Sequence, residues 1–387
     1  MRTMLLLTIV STLAYGDDWP AWRGADGSGV STEAGWSSTG SQLWTATVGI
    51  GYSSFVTSGD RVVTVGHDVE AKLDTVTCFE ATTGEVRWTY SFAVERHNKM
   101  HGGGSLSTPV IDGDLLYGLS REGLVYCLSM KDGAEVWTTT PREAYDLKYP
   151  EWMFAASPLI VGDTIYLNMG RTLALDKETG AVRWASESNG DAYSTPQPIR
   201  FGETDALAVF NSAGLSLIDA SDGAVLDFHE WKTMYDINAA TPIVIGDRIF
   251  ISSGQNRGCA MFQVQDGHLQ VLWENKRMSN KMTGCVLYDG HLYGFDGTQL
   301  KCLDLDGEEH WVKRGFGMGT LMIADGRLIV MTSKGELAIA EATPREYVEL
   351  SRTRVLEGGV YWTMPVLSDG LIYCRNSEGE VVCMDHR

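Results

Sequence analysis

The chain has 387 residues and a formal net charge of −19 at neutral pH. So large an acidic excess argues against nucleic acid and anionic membrane surfaces as partners, although solubility alone would also account for it. Length by itself would allow two or three domains, but an internal repeat along the chain predicts one folded unit.

The first sixteen residues have the organisation of a secretory signal peptide. Met1–Thr3 carries a positive charge, Met4–Val10 is apolar, and Ala14–Gly16 has the small-x-small pattern of a cleavage site. The apolar run is too short to span a bilayer, and no Cys near Gly16 would accept a lipid. We therefore expect an exported protein, periplasmic or extracellular, with no transmembrane segment.

A motif of strand, Gly-containing polar turn and aromatic residue recurs eight times, most clearly from Ala174 to Trp184. The copies can be aligned on eight anchor residues: Cys78, Cys127, Ala174, Leu217, Met261, Cys302, Ile339 and Cys383. Trp follows most anchors by about ten residues, whereas the fourth copy has Phe228 and the seventh Leu350. A period of roughly 40–45 residues indicates a radial or solenoid architecture rather than a series of unrelated elements.

Each repeat contains the signals of four short strands. Segments such as Ser107–Asp114 and Ala240–Asp247 join an apolar run to a Gly-Asp pair, which favours a tight hairpin. Four strands in such a unit form a propeller blade. The sequence thus predicts an all-β, eight-bladed β-propeller of four-stranded antiparallel blades over residues 36–387. The strand near Trp44 closes the ring, and residues 17–35 form an N-terminal extension.

Two further predictions follow from the repeat. The pair Trp19 and Trp22 should pin the extension to the outside or the base of the ring. Four of the seven cysteines (Cys78, Cys127, Cys302 and Cys383) share one phase, so they should be small buried residues that cannot reach one another. Disulfides between Cys374 and Cys383, or between Cys285 and Cys302, stay open as alternatives.

Function in such a fold is expected on the face that carries the blade-to-blade crossings. The crossings 89–104, 138–154 and 229–238 are the longest. Eight residues just before the inner strands should converge on the channel mouth: Tyr52, His101, Trp152, Tyr193, Asn238, Lys281, Met318 and Trp362. All but Met318 are predicted ligand-binding residues for a small molecule, glycan or protein, although such aromatics can also simply fill a channel.

Other charged motifs give weaker signals. The turns between second and third strands carry cations that could form a positive rim or be separate solvated charges: Arg121, Arg171, Arg257, Lys334 and Arg375. The pair His97 and His101 has no third ligand at a fitting distance, so no metal site is predicted. His101–Gly104 resembles an oxyanion-hole stretch, but the chain lacks G-x-S-x-G, so no catalytic residue is predicted.

Five residues of one repeat match the tryptophan-docking motif of quinoprotein propellers: Ala174, Asp176, Thr179, Gly180 and Trp184. The chain therefore resembles the PQQ-like β-propeller repeat family, and its opening Trp19–Gly24 is similar to the start of many exported members. The resemblance implies two kinds of activity. One is dehydrogenation of alcohols and sugars with pyrroloquinoline quinone (PQQ) and Ca²⁺, and the other is the non-enzymatic scaffolding of BamB-like propellers.

The dehydrogenases of this family carry an adjacent Cys-Cys pair and a Glu, Asn and Asp set, as the resemblance implies. This sequence has no adjacent Cys pair, and only Asp236 and Asn238 offer suitable groups near the channel. We therefore predict a monomeric, non-catalytic propeller without a cofactor, which binds a protein segment or carbohydrate on its long-loop face. The alternative is a PQQ- and Ca²⁺-dependent alcohol or aldose dehydrogenase.

Overall fold

The computed structural model describes residues 18–97, 99, 102–265 and 267–387. Eight sheets, each built on four antiparallel strands, form an eight-bladed β-propeller, which confirms the predicted fold. The predicted signal peptide lies outside the described residues. In the described part, the one α-helix is the single turn α1 (Pro141–Ala144), and no helix there is long and apolar enough to cross a membrane.

Two strands, β1 (Val30–Ser31) and β2 (Ser41–Thr47), precede the blades in the sequence. The strands of blades 1 to 4 are β3 (Val56–Ser58), β4 (Arg61–Asp68), β5 (Leu73–Glu80) and β6 (Val86–Ala93); β7 (Val110–Asp112), β8 (Leu115–Leu119), β9 (Val125–Ser129) and β10 (Glu135–Thr139); β11 (Leu159–Val161), β12 (Thr164–Asn168), β13 (Thr172–Asp176) and β14 (Val182–Ala185); β15 (Gln197–Phe201), β16 (Thr204–Asn211), β17 (Gly214–Asp219) and β18 (Val225–Glu230).

The strands of blades 5 to 8 are β19 (Ile243–Ile245), β20 (Arg248–Ser253), β21 (Gly258–Gln265) and β22 (His268–Asn275); β23 (Val286–Tyr288), β24 (His291–Asp296), β25 (Gln299–Asp304) and β26 (Glu309–Lys313); β27 (Thr320–Ala324), β28 (Arg327–Met331), β29 (Glu336–Glu341) and β30 (Glu349–Arg354); β31 (Val366–Ser368), β32 (Leu371–Arg375) and β33 (Glu380–Asp385). First strands of neighbouring blades contact one another, so they lie innermost. Crossings and second-to-third turns emerge on one side, the long-loop face. The other turns form the opposite side, the base.

Ring closure joins the two ends of the propeller. Strand β2 pairs antiparallel with β33 and places Trp44 opposite Cys383, so the N-terminal strand supplies the outer strand of blade 8 as predicted. Next to this pair, the backbone N–H of Ser37 donates to the carbonyl of His386. Because every blade then has a neighbour on both sides, both apolar faces of each sheet are buried.

A tryptophan from one blade packs on a turn of the next at most seams. Five indole N–H groups donate to turn carbonyls at 2.8–3.2 Å: Trp44 to Ala81, Trp88 to Met130, Trp137 to Lys177, Trp273 to Leu305 and Trp311 to Thr343. The turn glycine lies under the ring, and a Cβ on Gly133 would come within 2.6 Å of Trp88. Gly133 also has φ +71°, so both space and conformation require glycine there.

The sequence alignment of the fourth and seventh copies is wrong by one residue. The strand register places Asp227 opposite the anchor Leu217 and Ser351 opposite Ile339. Both residues do what Trp does elsewhere: Asp227 accepts a hydrogen bond from the Leu269 N–H at 2.6 Å, and the Ser351 hydroxyl donates to the carbonyl of Ser38. Each strand has a β-bulge beside this position, and a bulge changes which residue faces the partner strand.

The N-terminal extension, residues 18–35, is called the strap because it crosses the inner strands of several blades. The N–H groups of Thr57 in blade 1 and Ile111 in blade 2 donate to strap carbonyls at 2.9 and 2.7 Å. On the other side of the ring, Trp22 donates to the Thr241 hydroxyl at 3.2 Å, and β1 pairs in parallel with β27 of blade 7. The strap therefore closes the channel from the base.

Arg23 fixes the middle of the strap. Its guanidinium is buried and donates to the carbonyls of Gly27, Ser28 and Cys285 at 2.7–2.9 Å. Burial lowers the pKa of Arg23 to about 10, which leaves the group charged at neutral pH. Of the two positions predicted for this segment, the structure shows the base of the ring and not the outside, because its hydrogen-bonding partners lie on or next to the inner strands.

All seven cysteines are buried free thiols. In blade 8, Cys374 lies opposite Val382 and Cys383 opposite Tyr373, so the two sulfurs point to opposite faces of the sheet. Cys285 and Cys302 are also unpaired. Neither of the disulfides left open by the sequence is present.

Candidate functional site

Four of the predicted mouth residues lie together where the last blades meet the first. The rings of Tyr52 and Trp362 stack with centroids 5.2 Å apart and planes inclined by 23°. Lys281, Met318 and Trp362 line one recess of about 10 Å³, which is about the space that one water molecule needs. This arc is a half-exposed aromatic surface beside an exposed ammonium, and its recess is too small to enclose a ligand.

A second arc of the mouth is built by hydrogen bonds between two crossings. The Trp152 N–H donates to the Tyr193 hydroxyl at 3.4 Å, and that hydroxyl lies 3.3 Å from Asp191 Oδ2. Asp191 also accepts from the Glu151 N–H at 3.2 Å. Burial raises the pKa of Tyr193, so its hydroxyl stays a hydrogen-bond donor in neutral solution.

Asn238 has a different position from the other predicted residues. It is fully buried, and its amide donates to the carbonyls of Asn211 and Trp231 at 2.8 and 3.0 Å. Its amide oxygen accepts from the Ser253 hydroxyl at 2.6 Å. Asn238 therefore holds the crossing in place through these hydrogen bonds and presents no polar atom to a ligand. His101 lies outside the described residues.

The predicted cationic rim is wrong for two of its members. Arg375 is buried and donates to the carbonyls of Gly49, Ser53 and Val65 and to the Thr64 hydroxyl. Arg121 is buried as well. The physical reason is the short distance between blades, since a long side chain leaving a turn can reach carbonyls of the next blade. Lys334 alone of these three turn cations is exposed.

The loop 231–238, between blades 4 and 5, presents the most exposed large apolar side chains of the described residues. Met234 is 77% exposed and Tyr235 is 59% exposed. The start of the loop is anchored because Trp231 is fully buried and donates to the Ser253 hydroxyl at 3.0 Å. Thr233 Oγ1 accepts from the Ile237 N–H at 2.8 Å. Residue type alone does not distinguish the buried Trp231 from the exposed Tyr235.

The residues present do not fit a PQQ and Ca²⁺ site. The described residues contain no group of three or more His, Cys, Asp or Glu that could hold a metal ion. The amide oxygen of Asn238, a candidate calcium ligand under the dehydrogenase alternative, already accepts from Ser253. The mouth recess is also far smaller than a tricyclic cofactor, which needs a pocket of roughly 300 Å³ or more.

Comparisons with known proteins agree with the fold. The sequence matches the family described as "Outer membrane protein assembly factor BamB" over residues 32–185 and 75–311. BamB of Yersinia pestis is 25% identical over 298 residues, covering 70% of this chain and 72% of that protein. A quinoprotein ethanol dehydrogenase of Pseudomonas putida is 27% identical over 144 residues, covering 37% and 20%. The crystal structure of BamB from Moraxella catarrhalis has a TM-score of 0.64 at 16% identity, covering 90% and 98%, and shows the shared fold.

Proposed function

The chain belongs to the family of outer membrane protein assembly factor BamB, and from this premise we propose that it is an exported, non-catalytic propeller that binds a segment of a partner protein on its long-loop face. The name of its relatives, outer membrane protein assembly factor, supports a role in assembling other proteins. The periplasm is the compartment this role requires.

The exposed pair Met234 and Tyr235 is the observation that carries the proposal. Interfaces are dominated by a few large side chains, and Tyr is among the residues enriched at such positions. A loop that is already ordered loses little conformational entropy on binding, and the buried stem of loop 231–238 provides that order. The stacked rings of Tyr52 and Trp362 offer a second apolar surface on the same face.

Site-specific photocrosslinking in the exporting cell tests this proposal. A photoreactive phenylalanine at position 235 should capture a defined partner, whereas the same group at position 136 should not. Val136 is a matched control because it is 51% exposed but lies on β10, an outer strand away from the crossings. Equal capture at both positions, or none at position 235, contradicts the proposal.

A dehydrogenase remains the second candidate because part of the chain is similar to a quinoprotein ethanol dehydrogenase. The decisive experiment is reconstitution with PQQ and Ca²⁺, followed by dye-linked oxidation of alcohols and aldoses. We expect no turnover above a control without PQQ. Clear, PQQ-dependent turnover would replace the binding proposal. A glycan array tests carbohydrate as the ligand, and saturable binding there would displace a protein segment from the proposal.

A further inference from the structure

A buried cluster of His67, Asp74 and Arg121 connects blade 1 to blade 2 beneath the long-loop face. Arg121 Nη1 donates to both carboxylate oxygens of Asp74, at 2.9 and 3.0 Å. His67 Nδ1 lies 2.8 Å from Asp74 Oδ1 and 3.0 Å from Arg121 Nη2. All three side chains are at most 2% exposed, so the charges are held away from water.

The cluster holds the first long crossing in place. This crossing was assigned to residues 89–104 from the sequence, but β6 continues to Ala93, so it comprises residues 94–109. The guanidinium of Arg121 donates twice to the carbonyl of Glu95, from Nε at 3.3 Å and from Nη2 at 3.0 Å. Arg121 thus ties the start of the crossing to blade 2, and Asp74 supplies the charge that keeps Arg121 buried.

One atom of the cluster has no partner. His67 Nε2 is buried and has no hydrogen-bonding partner among the described residues. When the proton of the neutral imidazole is on Nδ1 and points to Asp74, a second proton on Nε2 is a donor without an acceptor among the described residues. The positive charge of that imidazolium would also lie beside Arg121, whose Nη2 is 3.0 Å from Nδ1. The cluster is therefore compatible with a neutral His67 and is disrupted by a charged one.

We propose that His67, Asp74 and Arg121 form a pH-sensitive latch, which holds the start of crossing 94–109 at Glu95 at neutral pH and releases it in mildly acidic solution. Its biological consequence rests on the proposed function, because the crossing belongs to the proposed binding face. An exported protein also experiences larger pH changes than a cytosolic one, and His is the side chain that responds in that range.

The sign of the effect follows from the groups that face His67. Burial and then Arg121 lower the pKa of His67, whereas Asp74 opposes them, and Arg96 of the crossing acts with Arg121. Stability contributed by the neutral imidazole is present above the unfolded value of about 6.5 and is lost as pH falls below it. Burial also raises the pKa of Asp74, so the carboxylate that balances Arg121 is protonated more readily than usual.

Two other groups belong to the same region and do not change this direction. Arg375 of blade 8 donates to the Val65 carbonyl on β4, the strand that contains His67, and stays charged throughout. Tyr126 of blade 2 faces Asp74, and its burial raises its pKa, so it stays neutral. The titrating groups are therefore His67 and Asp74, and protonation of either one weakens the tie between Arg121 and Glu95.

Hydrogen exchange of the whole protein, without a partner, tests the latch separately from the proposed function. After correction for intrinsic exchange, protection of crossing 94–109 should fall about tenfold per pH unit below pH ~6.5, the slope of a single proton. The crossing 231–242 should not change. His67→Gln should weaken the pH dependence and leave only the part that Asp74 contributes, whereas His268→Gln, at a histidine that is 75% exposed, should leave it intact.

Protection of crossing 94–109 that stays constant from pH 7.5 to 5.0 overturns the proposal. The same pH dependence in His67→Gln as in the wild type overturns it as well. If His67→Gln does not fold, the wild-type profile alone tests the proposal. Loss of protection in both crossings at one midpoint would then show general unfolding and overturn the latch.

Discussion

At the scale of single residues, buried cations are the least expected feature of this propeller. Arg375 donates to three carbonyls and one hydroxyl across the seam between blades 8 and 1, and burial lowers its pKa to about 10. It remains charged at neutral pH, so it acts as a fixed polar crosslink. Sequence alone suggested a solvated turn residue like the exposed Lys334, although Arg375 is the last residue of β32 whereas Lys334 lies within the turn that follows β28.

Arg375→Met should lower the free energy of unfolding by about 3 kcal/mol, because four buried oxygens lose a charged donor. Lys334→Met is the matched control at the corresponding turn of blade 7, and we expect it to change stability by less than about 0.5 kcal/mol. Urea unfolding followed by tryptophan fluorescence measures both. Similar losses in the two variants would show that Arg375 does not crosslink the seam.

At the scale of elements, the contact between a tryptophan and the turn of the next blade determines how blades pack. The anchor residue lies directly opposite the tryptophan, as Cys127 does opposite Trp137, which explains why anchors are often small. A carboxylate or a hydroxyl can replace the indole, as Asp227 and Ser351 do, because the essential contact is a hydrogen bond to the neighbouring backbone.

Two glycines of blade 2 separate the effect of this packing from that of backbone conformation. Gly133 and Gly113 both have positive φ, but a Cβ on Gly133 would meet the Trp88 ring, whereas one on Gly113 would meet nothing within 4 Å. Gly113→Ala should cost about 1 kcal/mol for the backbone alone. Gly133→Ala should cost about 2 kcal/mol more, from overpacking.

Thermal and urea unfolding of the two alanine variants measure this difference. Wild-type stability is the reference for both, and the prediction concerns the gap between the variants and not either value alone. Equal losses would mean that the indole moves away at no cost, and that its contact with the turn does not determine the spacing between blades.

At the scale of the whole molecule, closure of the ring should make unfolding cooperative. The seven thiols are spread over blades 1, 2, 5, 6 and 8 and the crossing before blade 6, and all are buried. Burial raises their pKa, to about 11 for Cys127, which suppresses the reactive thiolate. Native protein should therefore react slowly with thiol reagents at every site.

Thiol labelling at increasing urea concentration, read by mass spectrometry, tests cooperativity directly. All seven cysteines should become reactive with one midpoint, because opening the ring at one seam exposes an apolar face of each of the two blades that meet there and removes the closure that holds the others together. A lower midpoint for Cys374 and Cys383 than for Cys259 would show that blade 8 separates first, and that the strap and β2 do not couple the ends of the ring.

The sequence predicted blade number, ring closure and the face of the crossings, because these depend on periodicity and on turns formed by neighbouring residues. It could not predict which way a side chain points when a β-bulge or a seam decides the direction. Arg375 was missed because a seam decides its direction. Asp227 was missed because the aromatic Phe228 was chosen instead, although Asp227 follows its anchor at the same spacing as Trp88 and Trp184. Among the predicted mouth residues, the rings of Tyr52 and Trp362 stack on each other, whereas the side chain of Asn238 points into the protein and donates to buried carbonyls.

The course of the strap and the closing pair of strands also fixes how the molecule can be tethered. Asp18 accepts from the Gly59 N–H at a base turn, and the N–H of His386, next to Arg387, donates to the Gly370 carbonyl at another. Both Asp18 and Arg387 therefore leave the ring on the side opposite the crossings. A linker at either position would orient immobilised molecules alike, with loop 231–238 and the stacked rings of Tyr52 and Trp362 directed outward.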